Sequence, residues 1–65
     1  MKLEKTVKEI ISKNIAQLRK KEGMTQAELA ERLFYSDKAI SKWERGDSLP
    51  DAEMLYRLAE IFHVE

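Results

Sequence analysis

The chain contains no cysteine. Disulfide staples and thiolate metal sites are therefore excluded, and the composition suits a reducing compartment. No apolar run is long enough to cross a membrane, and no signal-peptide pattern is present. The expected location is the cytoplasm, without membrane contact from this segment. The single histidine, His63, has no cysteine partner, so neither a metal site nor a cofactor is expected. No glycine-rich loop is available to cradle a nucleotide. No pairing of histidine with serine or an acid suggests a catalytic residue, and enzymatic activity is not expected. An excess of either charge is missing too: 12 Lys and Arg balance 12 Asp and Glu. Neutrality counts against strong nonspecific binding to nucleic acid, which rests on phosphate neutralisation, unless the bases cluster on one face.

What is present suits a small helical fold. The chain has 65 residues, 43% hydrophobic and 37% charged, enough for one domain spanning the whole chain around one small core. Stability must come from helix packing, capping and self-association.

Four helices are legible. Thr6 and Glu9 have the spacing of a capping box, and Val7, Ile11, Ile15 and Leu18 then share one face. Leu3 lies one turn earlier and allows an earlier start. Gly23 ends this helix in a left-handed conformation. Thr25 and Glu28 form a second capping box, with Met24 and Leu29 as a hydrophobic staple. The second helix runs from Gln26 to about Leu33. Ser36 caps a third helix, Asp37 to Arg45, with Tyr35 and Ile40 placed as a staple, and Gly46 ends it. Pro50 bars continuation from upstream. Asp51 caps a fourth helix whose apolar line is Leu55, Leu58, Ala59 and Phe62, flanked by Met54 and Ile61, and His63 ends it. Only Phe34 and Tyr35 separate the second pattern from Ser36. Helices so close in sequence must cross steeply, which leaves the third helix proud of the body.

These residues resemble a known family. Gln26-Ala27-Glu28-Leu29-Ala30, Ser36, Ile40-Ser41-Lys42-Trp43-Glu44-Arg45-Gly46 and Pro50-Asp51 are similar to the helix-turn-helix domain of phage-repressor and Cro-like regulators, the xenobiotic-response-element (XRE) family. Leu18-Arg19 and Gly23-Met24-Thr25 match that family's first helix. The resemblance runs from about Ile15 to Val64. It implies an all-α, lambda-repressor-like domain of four helices, short of the family's usual fifth, as in a domain excised from a longer regulator. The departures are Phe34, where the family usually has glycine, and Asp47, where many relatives carry a base. A bulky residue at positive φ costs about 1–2 kcal/mol, and an acid at position 47 weakens a phosphate contact.

With Ile40 inward, Lys38, Ser41, Lys42 and Arg45 point outward, while Trp43 and Glu44 lie on the inner side. By resemblance, Asp37, Lys38 and Lys42 hold base-reading positions. Lysine can donate to guanine, aspartate can accept from cytosine, and Ala39 is small enough to approach a thymine methyl. Ser41 joins them as a base-contacting candidate. Gln26, at the start of the second helix, is a candidate phosphate contact. Ser36 is first a cap and second a phosphate donor, and Arg45 either reaches the DNA backbone or complements its helix end. Read blandly, these are solvated side chains, with Asp37 placed to suit the helix dipole. The resemblance implies an ion pair between Arg19 and Glu44; the local alternative pairs Arg19 with Glu22. Trp43 reads as core rather than as a stacking platform.

The reading is a sequence-specific regulator, a repressor, that inserts its third helix into the major groove of double-stranded DNA as a homodimer on a two-fold operator. The alternative is an antitoxin-like protein-interaction module on the same fold. Leu49, Tyr56 and Val64 are candidate exposed apolar residues, and the dimer contact is expected to involve the fourth helix or parts outside this chain.

Overall fold

The computed structural model describes residues 7–63. The Thr6 cap, Leu3 and Val64 lie outside the described residues. Four helices follow in order, α1 Val7–Lys21, α2 Gln26–Leu33, α3 Asp37–Arg45 and α4 Ala52–Phe62, with no strand among the described residues.

Local chemistry sets the helix ends. The Thr25 hydroxyl accepts from the Glu28 amide at 3.0 Å, and the Glu28 carboxylate accepts from the Thr25 amide at 2.8 Å. This reciprocal pair satisfies two donors that the first turn of α2 leaves open. Met24 and Leu29 are both buried beside it. Ser36 Oγ accepts from the Ala39 amide at 3.1 Å, and Asp51 Oδ1 from the Met54 amide at 2.9 Å. At the other ends, Gly23, Phe34, Gly46 and His63 are all left-handed. At Gly46 the backbone requires glycine, not the space: a Cβ there would lie an ordinary 3.8 Å from Ser12 Oγ, but φ is +79°.

Phe34 holds the same geometry without being glycine. Its φ is 54°, and the amides of Phe34 and Tyr35 return to the carbonyls of Glu31 and Ala30. That closure stops α2 and re-aims the chain, so α2 and α3 do not merge. The Phe34 side chain is 87% exposed and contributes no core packing. Phe34→Gly is therefore expected to stabilise the fold by about 0.5–1 kcal/mol. The relieved left-handed strain exceeds the added freedom of the unfolded chain. A rise in the urea midpoint at unchanged slope checks this; a fall would show that the ring contributes packing of its own.

The core consists of Ile15, Met24, Leu29, Ala30, Leu33, Ile40, Trp43, Leu58 and Phe62. α3 lies at its centre, packed on both α1 and α2, while α4 packs mainly on α2. The structure departs from the sequence pattern at Val7 and Leu55. Val7 continues the apolar face of α1 in sequence but is 68% exposed, because the core reaches α1 only from Ile11 onward. Leu55 belongs to the apolar line of α4 in sequence but is 40% exposed. The line turned inward is Met54, Leu58, Ile61 and Phe62, at the helical spacing of a single face. Tyr35 stacks on Trp43, ring centroids 5.6 Å apart and planes 17° apart, and stays exposed.

Candidate nucleic-acid interface

α3 is polarised across its axis. Ile40 and Trp43 are buried against the body, while Asp37, Lys38, Lys42 and Arg45 are exposed and Ser41 is half-buried. Ala39 is half-buried and packs against the core, so only its edge faces outward. Lys38 and Lys42 are four apart and share the outward face.

A polar network fastens α3 from behind. Arg19 of α1 grips Glu44 of α3 with two parallel bonds, Nε to Oε2 at 2.6 Å and Nη2 to Oε1 at 3.0 Å. The remaining guanidinium nitrogen, Nη1, donates to the Met24 carbonyl at 2.8 Å. Arg19 thus turns to Glu44 and Met24 rather than to Glu22. The pair is nearly buried, with side chains 12% and 8% exposed. Burial pushes the Glu44 carboxyl up, but hydrogen bonds from Arg19 and Gln26 and the charges of Arg19 and Lys20 outweigh it. The net direction is down. The hydrogen bond to Glu44 raises the Arg19 pKa against its own desolvation. Fork-to-carboxylate geometry of this kind fixes direction as well as distance.

Gln26 enters the same network. Its side-chain Nε2 donates to Glu44 Oε1 at 3.0 Å, which ties the first residue of α2 to the far end of α3. The bond spans 18 residues, and no local pattern in the sequence announces it. Gln26 is half-buried, with its amide oriented by Glu44.

Arg45 is also engaged. Its Nη1 donates to Ser41 Oγ at 2.6 Å and its Nε to Asp47 Oδ2 at 3.0 Å, both at the surface. The free fold therefore brings together Ser41, Arg45 and Asp47 at the end of α3, and Gln26, Glu44 and Arg19 behind it. Lys38, Lys42 and Asp37 stand exposed on α3, and Ser36 serves as its cap. Reading the sequence alone missed Asp47 as the partner of Arg45. The signal available was an acid two residues after the arginine, immediately past the helix-ending glycine.

No group of three or more His, Cys, Asp or Glu among the described residues is placed to hold a metal ion. No described helix is long and apolar enough to cross a membrane. The arrangement is an exposed cationic helix face held at a set angle by a nearly buried ion pair.

Comparison with known proteins places this geometry. The helix-turn-helix family model matches residues 15–65. The chain is 42% identical over 53 residues to BcrR of Enterococcus faecalis, an HTH-type transcriptional activator; the match covers 82% of the chain and 26% of BcrR. It is 36% identical over 62 residues to y4dJ of Sinorhizobium fredii, an uncharacterized HTH-type transcriptional regulator, covering 91% of the chain and 80% of y4dJ. A protein of Pyrococcus abyssi, named as an HTH-type transcriptional regulatory protein, is 40% identical over 53 residues, covering 82% of the chain and 17% of that protein. The chain thus spans about a quarter of BcrR and most of y4dJ. With two helices joined at a left-handed Phe34, a solvent-facing third helix and a matched domain from Ile15 onward, this chain belongs to the XRE family of helix-turn-helix transcription regulators, a DNA-binding family.

Proposed function

We propose that this chain is the sequence-specific DNA-binding module of a transcription regulator and reads the major groove of duplex DNA with α3. The observation that carries the reading is the division of α3: Lys38, Lys42 and Arg45 are exposed on the helix whose opposite side anchors Ile40 and Trp43. Net charge is zero over the chain, yet three bases stand together on this helix, which is the local condition that phosphate binding requires. Asp37 and Lys38 occupy the first turn, the end that meets base edges in helix-turn-helix complexes. Lys42 and Ser41 extend the contact along the groove, with Ala39 at its edge. Gln26, Ser36 and Arg45 hold the flanking phosphates. Two copies would bind a two-fold site with reading helices about 34–36 Å apart, or a multiple of that. Repression follows if the bound module covers a promoter. BcrR carries the name of an activator, so promoter output with and without the chain decides the sign.

The test is binding to a pool of duplex DNA at two salt concentrations. Lys38→Ala and Lys42→Ala are each expected to weaken binding, by about 1–3 kcal/mol for a lost base contact, or with a salt slope lower by about 1 for a lost phosphate contact. Unchanged affinity and slope in both variants would sink the reading. Asp47→Asn is expected to act in the opposite direction. It releases Arg45 and removes a like charge facing the phosphates, so affinity rises several-fold and the salt slope steepens.

A second reading, an antitoxin-like protein-interaction module, is favoured by one observation: Asp47 engages Arg45, one of the three exposed bases of α3. If Asp47→Asn leaves DNA affinity unchanged while the wild-type chain binds DNA weakly at low salt, that reading gains.

A further inference from the structure

Phe34 takes no part in the core and none in the DNA contacts proposed above. Its ring is 87% exposed, and its backbone stands at φ 54°, where glycine would close the same turn without strain. An exposed aromatic side chain kept at such a position points to a use outside the fold. Phe34 follows Ala27 by seven residues and Glu31 by three. The three therefore line up on the outer side of α2, opposite the buried Leu29 and Leu33.

Beside them, between α2 and the start of α3, lies an open concavity of about 480 Å³. Ala27, Ala30 and Tyr35 supply its apolar lining, and Glu28, Glu31 and Asp37 its charge. The alanines keep the hollow open. Tyr35 is held by its stack on Trp43, so the apolar lining is set before any partner arrives. Among the described residues no basic side chain lines the concavity; Arg32 lines another hollow, beside Glu22 and Gly23. The Glu28 carboxylate is engaged by the Thr25 amide. Glu31 and Asp37 are exposed, and neither makes a side-chain hydrogen bond or ion pair with another described residue. The charges of a neutral chain are thus sorted, with Lys38, Lys42 and Arg45 exposed on α3 and an uncompensated acidic border at α2. Such a border repels DNA phosphates and attracts lysine or arginine.

We propose that the Phe34 ring and this concavity form a docking surface for a basic amphipathic helix of a partner protein. Apolar side chains of the partner pack on Phe34, Tyr35 and Ala27, and a lysine or arginine one turn along meets Glu31 and Asp37. Recognition of a helix by a groove divides its contacts in this way, with apolar anchors for affinity and charges at the border for register. The ring supplies the exposed aromatic anchor that protein interfaces favour at their centre. Lys38 and Lys42 do not line the concavity, so a partner seated there leaves them open to DNA. The surface and the DNA reading stand on different residues, and either can fail without the other.

The probe is a synthetic peptide of about 18 residues, long enough to hold a helix in water, with leucine along one face and lysine over the rest. Titrated into isotope-labelled chain, it should shift the amide resonances of Ala27, Glu31, Phe34 and Tyr35 in a saturable way. A peptide of the same composition in scrambled order should not. Phe34→Gly should weaken probe binding by about tenfold or more and leave binding to duplex DNA unchanged. That variant is expected to be the more stable protein, so its loss of binding cannot come from unfolding. Glu31→Gln should weaken the probe several-fold through the lost charge. No saturable shift at millimolar probe, equal binding by wild type and Phe34→Gly, or equal binding of the scrambled peptide would overturn the proposal. Shifts centred instead on Ile15, Leu55 and Leu58 would do the same, by placing the probe between α1 and α4. Shifts at Glu31 and Phe34 on concentrating the chain alone would give the surface to a second copy. Shifts there larger than those at Lys38 on adding duplex DNA would give it to nucleic acid, and in both cases the proposal fails.

Discussion

Glu44→Ala is expected to lower the unfolding free energy by about 3–5 kcal/mol, because it leaves the Arg19 guanidinium nearly buried without a counter-charge. A domain of this length has only about 3–10 kcal/mol in total, so the variant is marginal or unfolded. Urea titration followed by Trp43 fluorescence measures the loss. Removing both charges together, in Arg19→Met/Glu44→Leu, is expected to recover most of it, since the penalty arises from the orphaned charge rather than from a large net worth of the pair. A loss of less than about 1 kcal/mol in Glu44→Ala would mean that solvent screens the pair as it does a surface bridge. The pair also predicts a pH dependence. The folded-state pKa of Glu44 is lowered, so its contribution is fully present above the unfolded value and is lost as pH falls through the folded one. Wild-type stability should therefore fall on acidification below about pH 4, more steeply than that of the double variant.

Trp43→Ala should cost a comparable amount, about 3–5 kcal/mol, through the cavity left behind α3. Trp43 is buried, and the ring of Tyr35 stacks on it. Its loss removes one of the two large side chains that hold α3 to the body, Ile40 being the other. Thermal melting by circular dichroism is the suitable measurement, because the fluorophore is gone. Trp43→Phe, which keeps an aromatic ring against the core, should cost less than half as much. Since α3 presents Lys38 and Lys42 from the face opposite Trp43, a truncation that spares the fold at low temperature should still weaken DNA binding by misaligning both lysines. An alanine variant that melts within a few degrees of wild type would show that Trp43 is not an anchor.

Most of the helix boundaries could be read from the residues. Thr25 with Glu28, Ser36, Asp51, Gly23 and Gly46 each act within one turn of their own position, through hydrogen bonds that no distant residue needs to complete. The left-handed His63 was legible from its tolerance of positive φ, whereas at Phe34 the departure from glycine left either a rebuilt turn or a tolerated strain, and the structure shows the strain tolerated, with φ at 54°. The faces of the outer helices were harder. Leu55 and Leu58 are equally apolar, and α4 is apolar over so much of its circumference that periodicity cannot choose its inward line. Val7 continues the stripe of α1 faultlessly but has nothing to pack on, because the core begins a turn later. The polar network divided along the same lines. Arg19 and Glu44 were paired by family resemblance, whereas the bonds from Gln26 to Glu44 and from Arg45 to Asp47 appear only in three dimensions.

By itself, then, the order of residues determined where α1 stops, where α2, α3 and α4 start and stop, that a tight break separates the second from the third, and which side of the third carries its cations. Those outcomes depend on backbone groups and caps within four residues of one another. Only the tertiary structure decided how far the core extends along α1 and α4, which apolar residues remain outside it, and where Gln26 and Arg45 direct their donors. These depend on distances between segments far apart in the chain, and packing alone sets such distances.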